Sequence, residues 1–224
     1  MTWFGDLLSY LTTAAHWWGP QGFLARLLEH VGISLAAVAI AALLALPAGV
    51  LIGHTGRGAG LVGGVSGAAR ALPTLGLLTI FGLAFGIGLT APMLALIILA
   101  IPSLLAGAYS GVAAVNRATI DAAYAMGFTH RQVISSIELP LSAAVLVGGI
   151  RTAVLQVTAT ATLAAYTADV GLGRFIFHGL KTRDYIEMLA ASVLVIALAL
   201  LFDALLGGAQ KLISQRTRTA TPAP

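Results

Sequence analysis

Two sets of residues, one between the long apolar segments of this chain and one within them, are the residues that could carry its chemistry. The first set lies between two apolar segments and comprises Asp121, Ala122, Ala123, Gly127, Ile137, Leu139 and Pro140. The second set lies within apolar segments and comprises Arg151, Gln156, Thr160 and Asp203. A membrane-embedded enzyme needs a converging catalytic set, and Asp203 is the single acid at depth. The first set therefore predicts a docking surface, and the second predicts pathway or gate residues.

The first set has the pattern of two short helices joined at a bend. A carboxylate at Asp121 is favourable near a helix N-terminus, and the two alanines that follow allow another surface to approach closely. Gly127 permits a sharp turn that a Cβ would obstruct. Residues 129–137 predict a second short helix, and Pro140 marks the entry to the next apolar segment. Such a knob could fit a groove on a partner; an ordinary linker capped by Asp121 is the alternative.

The second set is notable because charges within membrane segments are rare and usually face the interior of a helix bundle. Arg151 and Asp203 are therefore candidate pathway or gate residues, together with Gln156 and Thr160. The alternative is a structural pair of Arg151 with Asp203, or separate hydrogen bonds from each charge to backbone and neighbouring polar side chains. The pattern leaves both interpretations open.

Composition places the chain in the membrane. Hydrophobic residues make up 58% and charged residues 9%, with a mean hydropathy of +0.96, which leaves too little polar surface to cover a soluble globule. The net charge of +4 comes from scattered Lys and Arg residues without a dense patch, which argues against a nucleic-acid partner. The chain has no cysteine, which excludes disulfides and thiolate chemistry.

The charge-free intervals predict five membrane-spanning helices, since a crossing takes roughly 20 apolar residues. The predicted spans are 31–54, 72–87, 92–115, 140–166 and 186–208. Residues 1–30 then form an interfacial N-terminal segment, residues 117–140 form the polar loop, and residues 211–224 form a basic, disordered tail.

The distribution of Lys and Arg predicts the orientation. With the N-terminus outside, the cytoplasmic segments hold seven of the twelve basic residues, the outer segments hold four, and Arg151 lies within a span. The seven are Arg57, Arg70, Arg117, Arg131, Lys211, Arg216 and Arg218, and the four are Arg26, Arg174, Lys181 and Arg183. This arrangement predicts that the polar loop and the C-terminus are both cytoplasmic.

The polar loop resembles a known signature. Its order of Asp121-Ala-Ala, three residues, Gly127, nine residues and Ile137-x-Leu139-Pro140 is similar to the E-A-A…G…I-x-L-P signature of permease subunits in binding-protein-dependent ABC importers. The one departure is Asp121, where that family usually has Glu. The resemblance implies an all-α, five-span type I permease core over residues 31–210. It also implies that the loop is a coupling helix that docks on a cytoplasmic ATPase.

Further segments resemble the glycine betaine, carnitine and choline branch of that family. They are Leu72-Pro-Thr-Leu-Gly-Leu-Leu, Ile101-Pro-Ser-Leu-Leu, Gly149-Ile-Arg-Thr-Ala, Ala161-Thr-Leu-Ala-Ala and Gly171 to Gly179. The resemblance implies cytoplasmic ABC ATPase subunits, a second permease subunit that is identical or a sister, and an extracytoplasmic solute-binding protein. Departures at residues 166–170 and 181–184 fall on the presumed outer face, where they bear on substrate choice.

These expectations define a transport subunit, with no enzyme activity of its own, in the plasma or inner membrane. The glycine-rich stretch from Gly53 to Gly60 lacks the Lys and hydroxyl residue of a P-loop, so no cofactor is expected here and a partner subunit binds ATP. The expected solute is glycine betaine or a related quaternary-ammonium compatible solute. The alternative is another small polar nutrient, such as methionine or another amino acid, and a channel or a secondary transporter fits less well.

Overall fold

The computed structural model describes residues 3–219, and throughout that range the regular structure is helical, without a β-strand. The expected all-α class is therefore confirmed for the described residues. The α-helices are α1 Trp3–Thr12, α2 Phe23–Thr55, α3 Ala59–Ala71, α4 Thr74–Phe85, α5 Thr90–Ala113, α6 Arg117–Ala125, α7 His130–Val133, α8 Leu139–Thr160, α9 Ala165–Ala168, α10 Gly173–Thr182 and α11 Tyr185–Thr219. Short 3-10 turns cover Ala14–His16 and Ala161–Ala164, and a π-helical turn covers Ile134–Glu138.

Four helical segments in the described range are long and apolar enough to cross a membrane. They are Phe23–Thr55, Thr90–Ala113, His130–Ala168 and Tyr185–Arg216. Three of them contain a predicted span, and Thr90–Ala113 covers all but the last two residues of the predicted span 92–115. The predicted span 72–87 differs, because α4 has 12 residues. At about 1.5 Å per residue such a helix is roughly 18 Å long, which is shorter than the hydrocarbon core of about 30 Å. Leu72 is extended before Pro73, a residue that disfavours helical geometry on its N-terminal side, and this breaks α3 from α4.

Helices α2 and α5 run parallel, although they are consecutive long helices. A Cβ added at Gly49 would lie 2.6 Å from the Cβ of Ala108, and one added at Gly53 would lie 2.8 Å from the Cβ of Val112. The two sets of residue numbers rise together, so both helices point the same way. The chain between Thr55 and Thr90, which contains α3 and α4, therefore returns along the bundle.

The remaining long helices alternate in direction. Gly107 of α5 faces Gly149 of α8, while Gly111 faces Ser142, so these two helices are antiparallel. Helix α8 is in turn antiparallel to α11, since Arg151 pairs with Asp203 and Gly148 lies beside Gln210. One end of the bundle thus gathers the C-terminal ends of α2, α5 and α11 with α6 and α7. The other end gathers α1, α9 and α10.

Small residues form the contact surface of the bundle. Ala37 and Ala41 of α2, Ala100 of α5 and Ala153 of α8 are fully buried in the main hydrophobic cluster. Lipid removes most of the hydrophobic drive between membrane helices, so close packing of small side chains stabilises their association. This explains why the core can be tight without large aromatic residues.

Gly107→Val is expected to destabilise the bundle by about 1–3 kcal/mol, the usual cost of overpacking. A Cβ at Gly107 would lie 2.7 Å from the Cα of Gly149, so backbone would have to move. Thermal unfolding of the purified protein in detergent measures the effect. Gly32→Val is the matched control, because a Cβ at Gly32 meets nothing within 4 Å. An equal loss in both variants would mean that β-branching, and not the α5–α8 contact, causes the change.

Both predicted terminal boundaries need correction. Helix α2 begins at Phe23, so the first long helix takes in residues that were assigned to the N-terminal segment. Helix α11 continues to Thr219, so residues 211–219 of the predicted disordered tail are helical. The rest of that tail, residues 220–224, lies outside the described residues.

Candidate functional site: the loop between α5 and α8

Helix α6 begins the loop and is capped by a residue that the sequence analysis did not single out. The Asn116 side chain accepts a hydrogen bond from the Ala118 amide at 2.9 Å, as an N-cap does. Asp121 is the fifth residue of α6, so the prediction that it opens and caps the helix is wrong. Its side chain is exposed and free to face a partner instead.

Gly127 makes the predicted turn between α6 and α7. Its φ is +88°, which a glycine adopts without a steric penalty, and this confirms why a glycine stands there. The Gly127 amide donates to the Tyr124 carbonyl at 2.9 Å, and the Phe128 amide donates to the Ala123 carbonyl at 3.1 Å. Thr129 and Gln132 then form a reciprocal capping box that starts α7.

The loop has an apolar interior of its own. Val115, Ile120, Ala123 and Val133 are buried in one cluster, with Tyr124, Phe128 and Ile137 packed against it. Of the seven predicted docking residues, Ala123 and Ile137 therefore hold the loop together, and Leu139 packs against α2 and α5. Asp121, Ala122, Gly127 and Pro140 are exposed, as is Met126, whose side chain is 71% accessible. The exposed residues form the surface that a partner could contact.

The second short helix predicted over 129–137 does not end before Pro140. Helix α7 passes through the π-helical turn Ile134–Glu138 directly into α8, and the Leu139 amide donates to the Ile134 carbonyl five residues earlier. Pro140 is the second residue of α8 and lies directly after the π-helical turn. The loop is consequently rigidly continuous with α8.

A polar chain at the base of the loop was missed by the sequence analysis. Glu138 is 1% exposed, and its Oε2 accepts a hydrogen bond from Nδ1 of His54 at 2.8 Å. Nε2 of His54 lies 3.1 Å from Nδ1 of His130, and the Tyr124 hydroxyl lies 2.7 Å from the same nitrogen. A charged residue between Ile137 and Leu139 is the one local signal that pointed to this arrangement.

The four predicted pathway or gate residues divide into two separate contacts. Arg151 pairs with Asp203 in a two-pronged arrangement, with Nε to Oδ1 at 2.7 Å and Nη2 to Oδ2 at 2.8 Å. Gln156 accepts a hydrogen bond from Ser103 of α5 at 3.1 Å, and Thr160 donates to the Gln156 carbonyl at 2.8 Å. The structure thus pairs the two charges with each other, and their role as pathway or gate residues stays a prediction.

A cleft of about 640 Å³ lies between α3, α5, α8 and α11. Its lining carries hydroxyl, phenol and amide groups but no formally charged side chain among the described residues. The polar lining residues are Ser66, Ser103, Tyr109, Ser110, Thr152 and Gln210. The cleft reaches one of these two contacts, since Ser103, which donates to Gln156, is among its lining residues.

A buried arginine organises the opposite end of the bundle. Arg26, with a side chain 5% exposed, donates to Oε2 of Glu29 at 2.9 Å and to the Asp169 carbonyl at 2.6 Å. The same Glu29 oxygen accepts from the Gly171 amide at 2.9 Å. These bonds fix the segment before α10 on the start of α2.

The nearby α1 segment lies in an acidic environment. Burial, followed by the carboxylates of Glu187 and Asp184, raises the pKa of the Tyr10 hydroxyl above its usual range, so that this phenol stays neutral. No group of three or more His, Cys, Asp or Glu side chains in residues 3–219 is arranged to hold a metal ion.

The chain is similar to known transport proteins in sequence. Residues 45–219 match the family described as "Binding-protein-dependent transport system inner membrane component". The choline transport system permease protein OpuBB of Bacillus subtilis (strain 168) is 33% identical over 183 residues, covering 82% of this chain and 84% of the relative. The carnitine transport permease protein OpuCB of Listeria monocytogenes is 35% identical over 179 residues, covering 80% of this chain and 82% of the relative.

The fold is similar to that of solved transporters. A chain of the MetNI methionine ABC transporter in an inward-facing conformation superposes with a TM-score of 0.70 at 20% identity, covering 89% of this chain and 96% of that one. A chain of an amino acid ABC transporter crystallised with histidines gives a TM-score of 0.68 at 17% identity, covering 94% and 98%. At these identities the likeness extends to the fold alone.

Proposed function

We propose, from the premise that this chain belongs to the family of binding-protein-dependent transport system inner membrane components, that its solute is glycine betaine or a related quaternary-ammonium compound. The chain is the permease subunit of an ABC importer and lies in the cell membrane as a multi-pass protein. The observation that carries the choice of solute is the 33% and 35% identity to permeases for choline and carnitine, over more than three quarters of both chains.

The proposed machine has further subunits. Two permease subunits, identical or sister, pair in the membrane, two cytoplasmic ATPase subunits bind and hydrolyse ATP, and an extracytoplasmic protein delivers the solute. The permease then alternates between inward-open and outward-open arrangements as the ATPase subunits close and separate. Because the ATPase subunits bind and hydrolyse ATP, the permease itself is proposed to need no cofactor.

The proposed topology has five crossings, with the N-terminus outside and the C-terminus in the cytoplasm. The parallel packing of α2 and α5 supports it, because the chain between them has to return across the membrane before α5 can begin. Helices α3 and α4 together, broken at Pro73, supply that return. Without Arg70, which lies in α3, a bias of six basic residues against four supports a cytoplasmic location for the end that holds α6.

The proposed coupling surface is the exposed face of α6 and the turn after it. Asp121 and Ala122 present a carboxylate beside a small side chain, and Gly127 brings the backbone to the surface. The interior cluster of the loop supports this role, because a loop with its own packed core can move as a unit when a partner displaces it. The solute pathway is proposed to run through the polar cleft between α3, α5, α8 and α11.

Uptake in a reconstituted system tests the proposal. Proteoliposomes holding the permease with its ATPase subunits, supplied with the solute-binding protein and internal ATP, are expected to accumulate radiolabelled glycine betaine, choline or carnitine. Uptake should stop when the ATPase is replaced by a hydrolysis-deficient variant, which separates an importer from a channel or a secondary transporter. Accumulation of methionine, with no uptake of any quaternary ammonium compound, would overturn the proposed solute.

A further inference from the structure

The hydrogen-bonded chain Tyr124–His130–His54–Glu138 connects the proposed coupling surface to the bundle. Its members come from α6, α7, the last turn of α2 and the π-helical turn. Consecutive members are separated by 2.7 Å, 3.1 Å and 2.8 Å, all within hydrogen-bonding distance. The chain therefore offers a continuous polar contact from the docking face to α2.

Glu138 is the buried anchor of this chain. A carboxylate taken out of water is costly unless a partner donates to it, and His54 is that partner. The π-helical turn places the Glu138 carboxylate beside α2, and such turns in α-helices are frequent at functional sites. A cavity of about 170 Å³, lined by Glu138 with Arg117, Tyr109 and Gly53, leaves room next to the pair. The base of the loop is thus held by a polar contact in a region that is not fully packed.

Movement at His54 would reach the core of the bundle. His54 directly follows Gly53. Because Gly53 has no Cβ, α2 packs closely against Val112 of α5 at this position. Gly49, one turn earlier, makes the same kind of contact with Ala108. Because α2 and α5 touch at distances that leave no room for a Cβ, a displacement of the α2 end is shared with α5 and is not absorbed between them.

We propose that Tyr124, His130, His54 and Glu138 are positioning residues that transmit movement of the coupling loop to the α2–α5 pair, a role that rests on the coupling function proposed above. Tyr124 and His54 meet at the same atom, Nδ1 of His130, and His54 in turn contacts Glu138, so the contacts act in series. Loss of any one link breaks this polar connection to α2 while leaving the apolar cluster of the loop, and the packing of Leu139 against α2 and α5, in place.

The test uses the complete reconstituted importer and the smallest possible changes. Tyr124→Phe removes one hydroxyl and keeps the ring in the loop cluster, and Glu138→Gln removes the charge and keeps the shape. The readout is the ratio of solute-stimulated to basal ATP hydrolysis per assembled complex. Each variant is expected to lower this ratio roughly tenfold, about the effect of losing one charge-assisted or buried hydrogen bond. The double variant is expected to show no more than the larger single effect, since links in series are not additive.

If these residues have a purely structural role, the variants should form fewer complexes. Each complex that forms should then keep the wild-type ratio of solute-stimulated to basal ATP hydrolysis. The matched control is Glu187→Gln, which removes the acid from another His–Glu pair of 2.8 Å, to His178 at the opposite end of the bundle. A wild-type ratio in Tyr124→Phe and Glu138→Gln, or an equal fall in Glu187→Gln, would overturn the inference. If the loop is not the coupling element at all, a Gly127 variant is expected instead to show normal solute-stimulated ATP hydrolysis.

Discussion

Gly127→Val is expected to abolish solute-stimulated ATP hydrolysis while the permease still inserts and assembles. Gly127 has a φ of +88°, a conformation that costs a β-branched residue on the order of 1–3 kcal/mol. A Cβ at this position meets no other atom within 4 Å, so the effect comes from the backbone and not from crowding. The turn would relax and rotate α6 away from its present angle to α7. ATPase assays in proteoliposomes, with and without loaded binding protein, should show stimulation reduced by roughly tenfold or more.

Gly127→Asn is the matched control, because asparagine tolerates positive φ better than other residues that carry a Cβ. It should retain most of the stimulation. If the valine variant couples as well as the wild type, the loop between α5 and α8 is not the coupling element. If valine and asparagine reduce the stimulation equally, the absence of a Cβ at Gly127 is needed for a partner to approach, and the positive φ is not the reason.

Asp203→Leu is expected to reduce the yield of folded permease roughly tenfold or more, because it leaves the Arg151 guanidinium without its carboxylate within a membrane-spanning segment. The double variant Arg151→Met with Asp203→Leu should recover most of the yield, since an apolar pair of similar volume often replaces an ion pair without loss. Yield is measured by size-exclusion chromatography in detergent, with the fluorescence of a C-terminal fusion as the signal.

Transport by the double variant separates the two interpretations of this pair. Uptake that returns with the yield identifies a structural pair, whereas folded protein without uptake identifies a pathway or gate pair. Arg174→Gln is the control, because Arg174 and Asp169 form a more exposed ion pair outside the long helices. Exposed pairs contribute little to stability, so this variant should fold at the wild-type level.

Features governed by local backbone chemistry were predictable from the sequence. Gly127 was expected at a turn because of its conformational freedom, and its φ is positive as expected. Four predicted spans appear as long apolar helices because a charge-free interval of about 20 residues has few other solutions in a membrane. The prediction that Asp121 caps α6 was wrong. An acid is favourable at a helix N-terminus in general, but Asn116, five residues earlier, is the residue that caps this helix.

Features that depend on contacts between distant segments were not predictable. His54 and Glu138 are 84 residues apart, and although Glu138 stands out as a charge between Ile137 and Leu139, nothing in the sequence identifies His54 as its partner. The pairing of Arg151 with Asp203 was one of two open interpretations, because a single sequence gives no register between α8 and α11. The predicted span 72–87 does begin at the break before Pro73, but hydropathy did not reveal that α4 has only 12 residues or that helix α3 precedes it.

The parallel arrangement of α2 and α5 sets an order for biosynthesis. As the chain leaves the ribosome, α2 enters the bilayer first, and its partner α5 starts only after Thr90. At about 5–20 residues per second, the small-residue face of α2 is complete a few seconds before α5. During that interval the nascent chain has no permanent neighbour for Gly49 and Gly53. Larger side chains at these positions would therefore not impair the insertion of α2 and would prevent packing only later, when α5 has been synthesised.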